Sequence, residues 1–127
     1  MKMVKQTGLY IFGAILALGG ATLAPAETLR GWIADEGCAR GRAHSGDYTG
    51  TNPECAKKCI AGGAKTVLID SDHKRLLVVA NPAAAKENIG DYVEIQGSVD
   101  SDAQTLNIDA LTLLEKGVAK CGRKAPH

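Results

Sequence analysis

The sequence predicts a mainly β protein, a small five-stranded barrel in the order β-(loop, short α)-β-β-α-β-β. Three observations lead there. Val93, Ile95, Gly97 and Val99 alternate with Tyr92, Glu94, Gln96 and Ser98, the period of a half-buried strand. Thr66-Val67-Leu68-Ile69 and Leu76-Leu77-Val78-Val79 flank the polar turn Asp70-Ser71-Asp72-His73-Lys74, the pattern of a β-hairpin. Gly97, inside an otherwise regular strand, suits the tight coiling needed to close a sheet on itself.

Residues 1–26 read as a secretion signal. Lys2 and Lys5 form a basic start, Leu9 to Leu18 an apolar run, and Ala24-Pro25-Ala26 a small-residue cleavage site before Glu27. The run is shorter than the roughly 20 residues that span a bilayer, so no membrane anchor is expected after cleavage. The expected mature chain, of about a hundred residues, is one domain with a modest core, periplasmic or secreted. Two of the 15 Lys and Arg leave with the signal, so 13 cations stand against 14 acids, a formal charge of −1. Such a chain has no global field for nucleic acid or anionic lipid. Its remaining aromatics, Trp32, Tyr48 and Tyr92, offer little for bases to stack on. Nucleic acid is therefore not an expected partner.

In the mature chain, Leu29, Gly31 and Ile33 alternate with Arg30 and Trp32, predicting a first strand over about 28–34. Asp35 to Asn52, rich in Gly, Ser, Thr and Asp, reads as loop. Asn52-Pro53-Glu54 reads as a helix start, with Asn as cap, Pro first, and an acid at the positive end of the dipole. Gly62-Gly63 stops that helix after about two turns. Beyond the hairpin, Asn81-Pro82 opens a short helix that ends at Gly90. The fifth strand resumes with Leu106 and Ile108, then shifts phase to Leu111 and Leu113, which predicts a bulge or bend. The domain is expected over 27–114, with a Cys/His loop and short helix at 35–63, followed by a basic tail over 115–127.

A five-stranded barrel with a helix between strands three and four is the OB-fold arrangement. Three segments carry a closer resemblance: Gly31-Trp32-Ile33-Ala34-Asp35 leading to Cys38; Cys55-Ala56-Lys57-Lys58-Cys59 with Gly62-Gly63; and the strand Val93-x-Ile95-x-Gly97-x-Val99. Over residues 29–114 the chain resembles a family of small exported bacterial OB-like proteins with a Cys-rich loop after strand one. The resemblance implies a fold and a compartment but no activity.

The candidate chemistry lies in Cys38, His44, Cys55 and Cys59. Cys55 and Cys59 stand at i and i+4 on the expected helix, so both sulfurs leave one face a turn apart. Cys38 and His44, folded over from the loop, would complete a Cys3His set suited to tetrahedral Zn(II). Thiolates also favour Cu(I), for which two or three sulfurs suffice. The spacings match no standard zinc finger or ribbon. Against the metal stands a structural expectation, because four cysteines in an exported domain of this size ordinarily form two disulfides. A Cys55–Cys59 bond within one helical turn suits disulfide torsions poorly. That would pair Cys38 with one of these two and leave the other for Cys121. A module stapled in this way would bind a peptide, glycan or protein partner through its loops, with no metal. A thiol pair that cycles between a disulfide and a Cu(I)-binding dithiol would combine both expectations.

Asp35 and Glu36 could support His44 or add a hard ligand, although acids at a strand end are ordinarily exposed. His73 in a hairpin turn carries no expected role, terminal His127 could bind metal adventitiously with Cys121, and Trp32 reads as a packing residue, with ligand stacking as the alternative. No serine–histidine–acid set, phosphate-cradling glycine loop or C-x-x-C motif has supporting context. The expectation is a binding module, not an enzyme, with a metal ion as its ligand.

Overall fold

The computed structural model describes residues 26–118. The expected signal up to Pro25, and the tail from Ala119 with Cys121 and His127, lie outside the described residues. Five strands form one sheet: β1 (Glu27–Asp35), β2 (Thr66–Asp70), β3 (Arg75–Val79), β4 (Tyr92–Asp100) and β5 (Thr105–Glu115). The sheet closes in a ring in the order β1-β2-β3-β5-β4, with β4 returning to β1. The mainly β expectation holds. Neighbouring strands are antiparallel except β3 and β5, which run parallel and meet only over Val78↔Thr105 and Val79↔Leu106. Asn81, just past β3, lengthens this short seam. Its side-chain amide donates to the Ile108 carbonyl and accepts the Ile108 N–H, both at 2.8 Å.

Alternation turns Leu29, Ile33, Leu68, Leu77, Val79, Val93, Ile95, Val99, Leu106 and Ile108 into one buried cluster. Each such side chain contributes about 1.5–3 kcal/mol relative to exposure, before conformational entropy is charged against it. Ala85 joins them from a 3-10 helix over Pro82–Asn88, where a short helix was expected. Gly97 is demanded by close approach, because a Cβ there would overlap the Asn107 carbonyl oxygen. It also marks a register shift. Gly97 faces Ile108 while Gln96 faces Ala110, which leaves Asp109 as the extra residue of a bulge. This is the phase shift read from the sequence. Beyond it Leu111 is half-buried against the core, whereas Leu113 and Leu114 stay exposed.

Half of the stretch expected as loop, Asp35 to Asn52, is helical. Helix α1 spans Glu36–His44 and α2 spans Pro53–Ala61. Asp35 caps α1, accepting the Cys38 N–H at 3.0 Å; Glu36 lies in its first turn, and Arg42 and His44 in its last. Both placements suit the helix dipole. A Glu36–Arg40 ion pair at 3.3 Å adds an i,i+4 contact. Ala39 is the single buried residue of α1 and packs with Ala34, Val67 and Ile69 on the outer face of the sheet. Helix α2 begins and ends as expected, with the Asn52 side chain accepting the Glu54 N–H at 2.9 Å and Gly62 at the C-cap.

Arg42 secures the connection between the two helices. It donates to Asp47 (2.9 and 2.6 Å), to the Thr49 hydroxyl (2.8 Å) and to the Gly50 carbonyl. Gly50 is thereby seated on the Trp32 ring, and a Cβ at Gly50 would stand 2.7 Å from it. At the other end of the chain, β5 continues through Glu115. Buried Asp91 accepts the Gly117 N–H at 2.8 Å and pairs with Lys116 at 3.4 Å. The fold therefore reaches Gly117, past the boundary expected at 114.

Candidate metal centre

Because Asp35 ends β1 and caps α1, its carboxylate faces the third helical residue, Cys38. Cys59 arrives from the last turn of α2, which packs against β1 and buries Pro53 and Ala56. The result is a triangle: a carboxylate oxygen of Asp35 and the sulfurs of Cys38 and Cys59 all lie within 4.8 Å of one another.

Asp35 is 1% exposed. One of its oxygens, Oδ2, takes the Cys38 N–H, while Oδ1 is shielded from water and has no hydrogen-bond partner among the described residues. A buried acceptor left in this way costs about 1–3 kcal/mol, and more if it is charged. A cation held by the Asp35 carboxylate and the two sulfurs would offset that cost. The Cys38 thiol is pushed above its ordinary value, first by burial and then by the charge and hydrogen bond of Asp35, with smaller contributions from Cys59 and Cys55. Burial and the neighbouring Asp35 charge favour the protonated sulfur, and a bound cation inverts the balance in favour of thiolate.

The four residues expected as ligands are thus only partly brought together. Cys38 and Cys59 converge. Cys55, one turn before Cys59, lies outside the triangle, though close enough for its charge to act on Cys38. His44 sits at the far end of α1, about 9 Å of helix rise from Cys38. There it lines a shallow groove with Arg40, Tyr48, Lys74, Arg75 and Gln104. Asp35 takes the place expected for His44. Its sequence signal is the cap spacing Asp35-x-x-Cys38, which sets a cap carboxylate against the residue three positions on. The three described cysteines are exposed free thiols. His73 pairs with buried Asp70 at 2.8 Å in the hairpin turn, and Trp32 packs 5.1 Å from Tyr92, centroid to centroid.

No family model, curated protein or solved structure matches the chain. Among the described residues no helix is long and apolar enough to cross a membrane. Fold and site together define a small mainly β domain that carries a cluster of two thiols and one carboxylate.

Proposed function

We propose that this chain is an exported OB-like binding module, periplasmic or secreted, that holds one metal ion on Asp35, Cys38 and Cys59, with Zn(II) preferred over Cu(I). One observation carries the reading: the buried Asp35 carboxylate, one oxygen of which lacks a partner among the described residues, has an oxygen within 4.8 Å of two sulfurs. Zn(II) accepts both donor types, with thiolate sulfur at about 2.3 Å and carboxylate oxygen at about 2.0–2.2 Å. Cu(I) is the better match for sulfur alone, so the oxygen turns the preference toward zinc. Cys55, a water or a group from a partner completes the tetrahedron. The OB-like reading rests on the ring order, the parallel β3–β5 pair and the helical link between β3 and β4. The proposed role is to hold metal, without catalysis.

Reduced protein is expected to take up one zinc ion per chain in competition with a chromophoric chelator. Cys38→Ser and Cys59→Ser should each weaken zinc binding by more than the roughly 10–100-fold typical of a lost supporting residue. His44→Ala should leave it unchanged. Unaltered affinity in both cysteine variants ends the proposal. The closeness of the two sulfurs also favours a second reading, a Cys38–Cys59 disulfide in a module that binds a peptide, glycan or protein through its loops. Alkylation of the exported protein separates the two, since only the metal reading leaves Cys38 and Cys59 as free, alkylatable thiols once zinc is stripped.

A further inference from the structure

The groove beside His44 shares no residue with the metal triangle. Arg40 and His44 line it from α1, Tyr48 from the connection to α2, Lys74 and Arg75 from the β2–β3 hairpin, and Gln104 from the turn before β5. Its volume of about 570 Å³ lies within the range of ligand clefts, about 300–1,000 Å³. The walls are joined before any ligand arrives, because the Ser71 hydroxyl of the hairpin donates to the Tyr48 carbonyl at 2.6 Å.

The charge along the groove has one sign. Arg40, Lys74 and Arg75 line it, and no acidic side chain does. Arg40 is paired with Glu36 at 3.3 Å, and Arg75 with buried Asp70 at 2.9 Å and Glu27 at 3.8 Å. Lys74 and His44 have no ion-pair or side-chain hydrogen-bond partner among the described residues. Lys74 stands at φ 49°, a backbone conformation that favours glycine or asparagine.

The groove also holds an open edge of backbone. Val78 donates its N–H across the seam to the Gln104 carbonyl at 2.9 Å. By the pleat, Leu76, two residues earlier and itself in the groove lining, turns its N–H and carbonyl to the same side. Strand β5 begins only opposite Val78, so no strand lies beside Leu76 there.

We propose that this groove takes an extended acidic peptide, whose backbone pairs with Leu76 and whose carboxylates meet Lys74 and Arg40, with His44 as a further donor. Main-chain bonds supply affinity, as in other strand additions, and the cations select an acidic partner. An acidic glycan would answer the charges but has no peptide backbone to match Leu76.

The test is fluorescence anisotropy with the full chain without its expected signal. The probe is a labelled, end-blocked pentapeptide of alternating glutamate and valine at low salt. A chelator is present, so the outcome does not depend on the metal reading. Saturable binding is expected, with the lysine–valine counterpart weaker by roughly tenfold or more. Methylating the backbone nitrogens of the glutamate peptide should weaken binding about two- to tenfold. Lys74→Asn, which suits the left-handed backbone, should weaken it about two- to fivefold, the worth of an exposed ion pair. Lys58→Asn makes the same charge change on α2, off the groove, and should leave binding unchanged. Absence of saturable binding, equal binding of the lysine or the methylated peptide, or equal effects of the two lysine variants overturns the proposal. So does trigalacturonate that binds the groove more tightly than the glutamate peptide, because a glycan is then the better occupant.

Discussion

Replacing Asp35 by alanine sets two local energies against each other. The variant loses the α1 cap, the bond from Cys38 N–H at 3.0 Å, at a cost of about 0.5–2 kcal/mol. It also removes the buried oxygen that has no partner, whose unmet bond costs about 1–3 kcal/mol. The two nearly offset, so metal-free Asp35→Ala should lie within about 1 kcal/mol of the parent in urea unfolding. Zinc breaks the tie. At free zinc 100 times the dissociation constant, linkage stabilises the parent by about 2.7 kcal/mol. If losing the carboxylate weakens binding about a hundredfold, the same zinc concentration stabilises the variant by only about 0.4 kcal/mol. The assay is a pair of urea curves, with and without zinc, for each protein under reducing conditions. Equal zinc stabilisation in both would refute the ligand role of Asp35. A metal-free loss well above 2 kcal/mol would show that Oδ1 has a stabilising partner. Protons compete with zinc for Cys38, so the zinc effect should weaken as pH falls. Asp35→Asn removes the charge that raises the Cys38 thiol, which should move that weakening to lower pH.

Three further outcomes follow from the packing and the charges. Gly97→Ala forces a Cβ onto the Asn107 carbonyl at the bulge and should cost about 1–3 kcal/mol, read as a lowered thermal midpoint; a change below 0.5 kcal/mol on the order-of-magnitude scale of surface substitutions would contradict the contact. Gly50→Ala pushes against Trp32, the chain's one tryptophan, and should shift its fluorescence while destabilising the fold by a similar amount, about 1–3 kcal/mol. Asp47 is held at about 2, below its ordinary 3.8, by the Thr49 hydroxyl, the Thr49 N–H and Arg42. Its contribution is therefore present above pH 3.8 and lost as pH falls toward 2, so Asp47→Asn should flatten the acid limb of a fluorescence titration across that window.

The strands were legible because their inward faces keep a period of two over a core with one apolar side. The bulge at Asp109 showed as a phase slip between Ile108 and Leu111. Helix α2 was legible from its ends, Asn52-Pro53 and Gly62-Gly63. Helix α1 was not. With Ala39 as its sole buried residue, and with Gly37 and Gly41 in its body, it carries no apolar stripe, and its order comes from the Asp35 cap and end charges. The i,i+4 spacing pointed to Cys55 with Cys59, whereas the sulfurs that converge are those of Cys38 and Cys59, and Asp35 was read only as support for His44 or an added hard ligand. An acid at a strand end is ordinarily solvated, and this one is buried because α1, unread as a helix, closes over it.

The seam between β3 and β5 gives the ring a definite point of opening. Each hairpin, β2–β3 and β4–β5, joins strands close in sequence through a short loop, and the seam joins the two hairpins by the fewest rungs of any strand pair in the ring. Two rungs and one asparagine amide complete it. The ring therefore works as a clasp whose catch is Asn81. The amides of Val78, Ala80 and Ile108, which donate across the seam, should exchange with solvent ahead of the rest of the sheet, while the Asp35 cluster, on the far side of β2, stays closed.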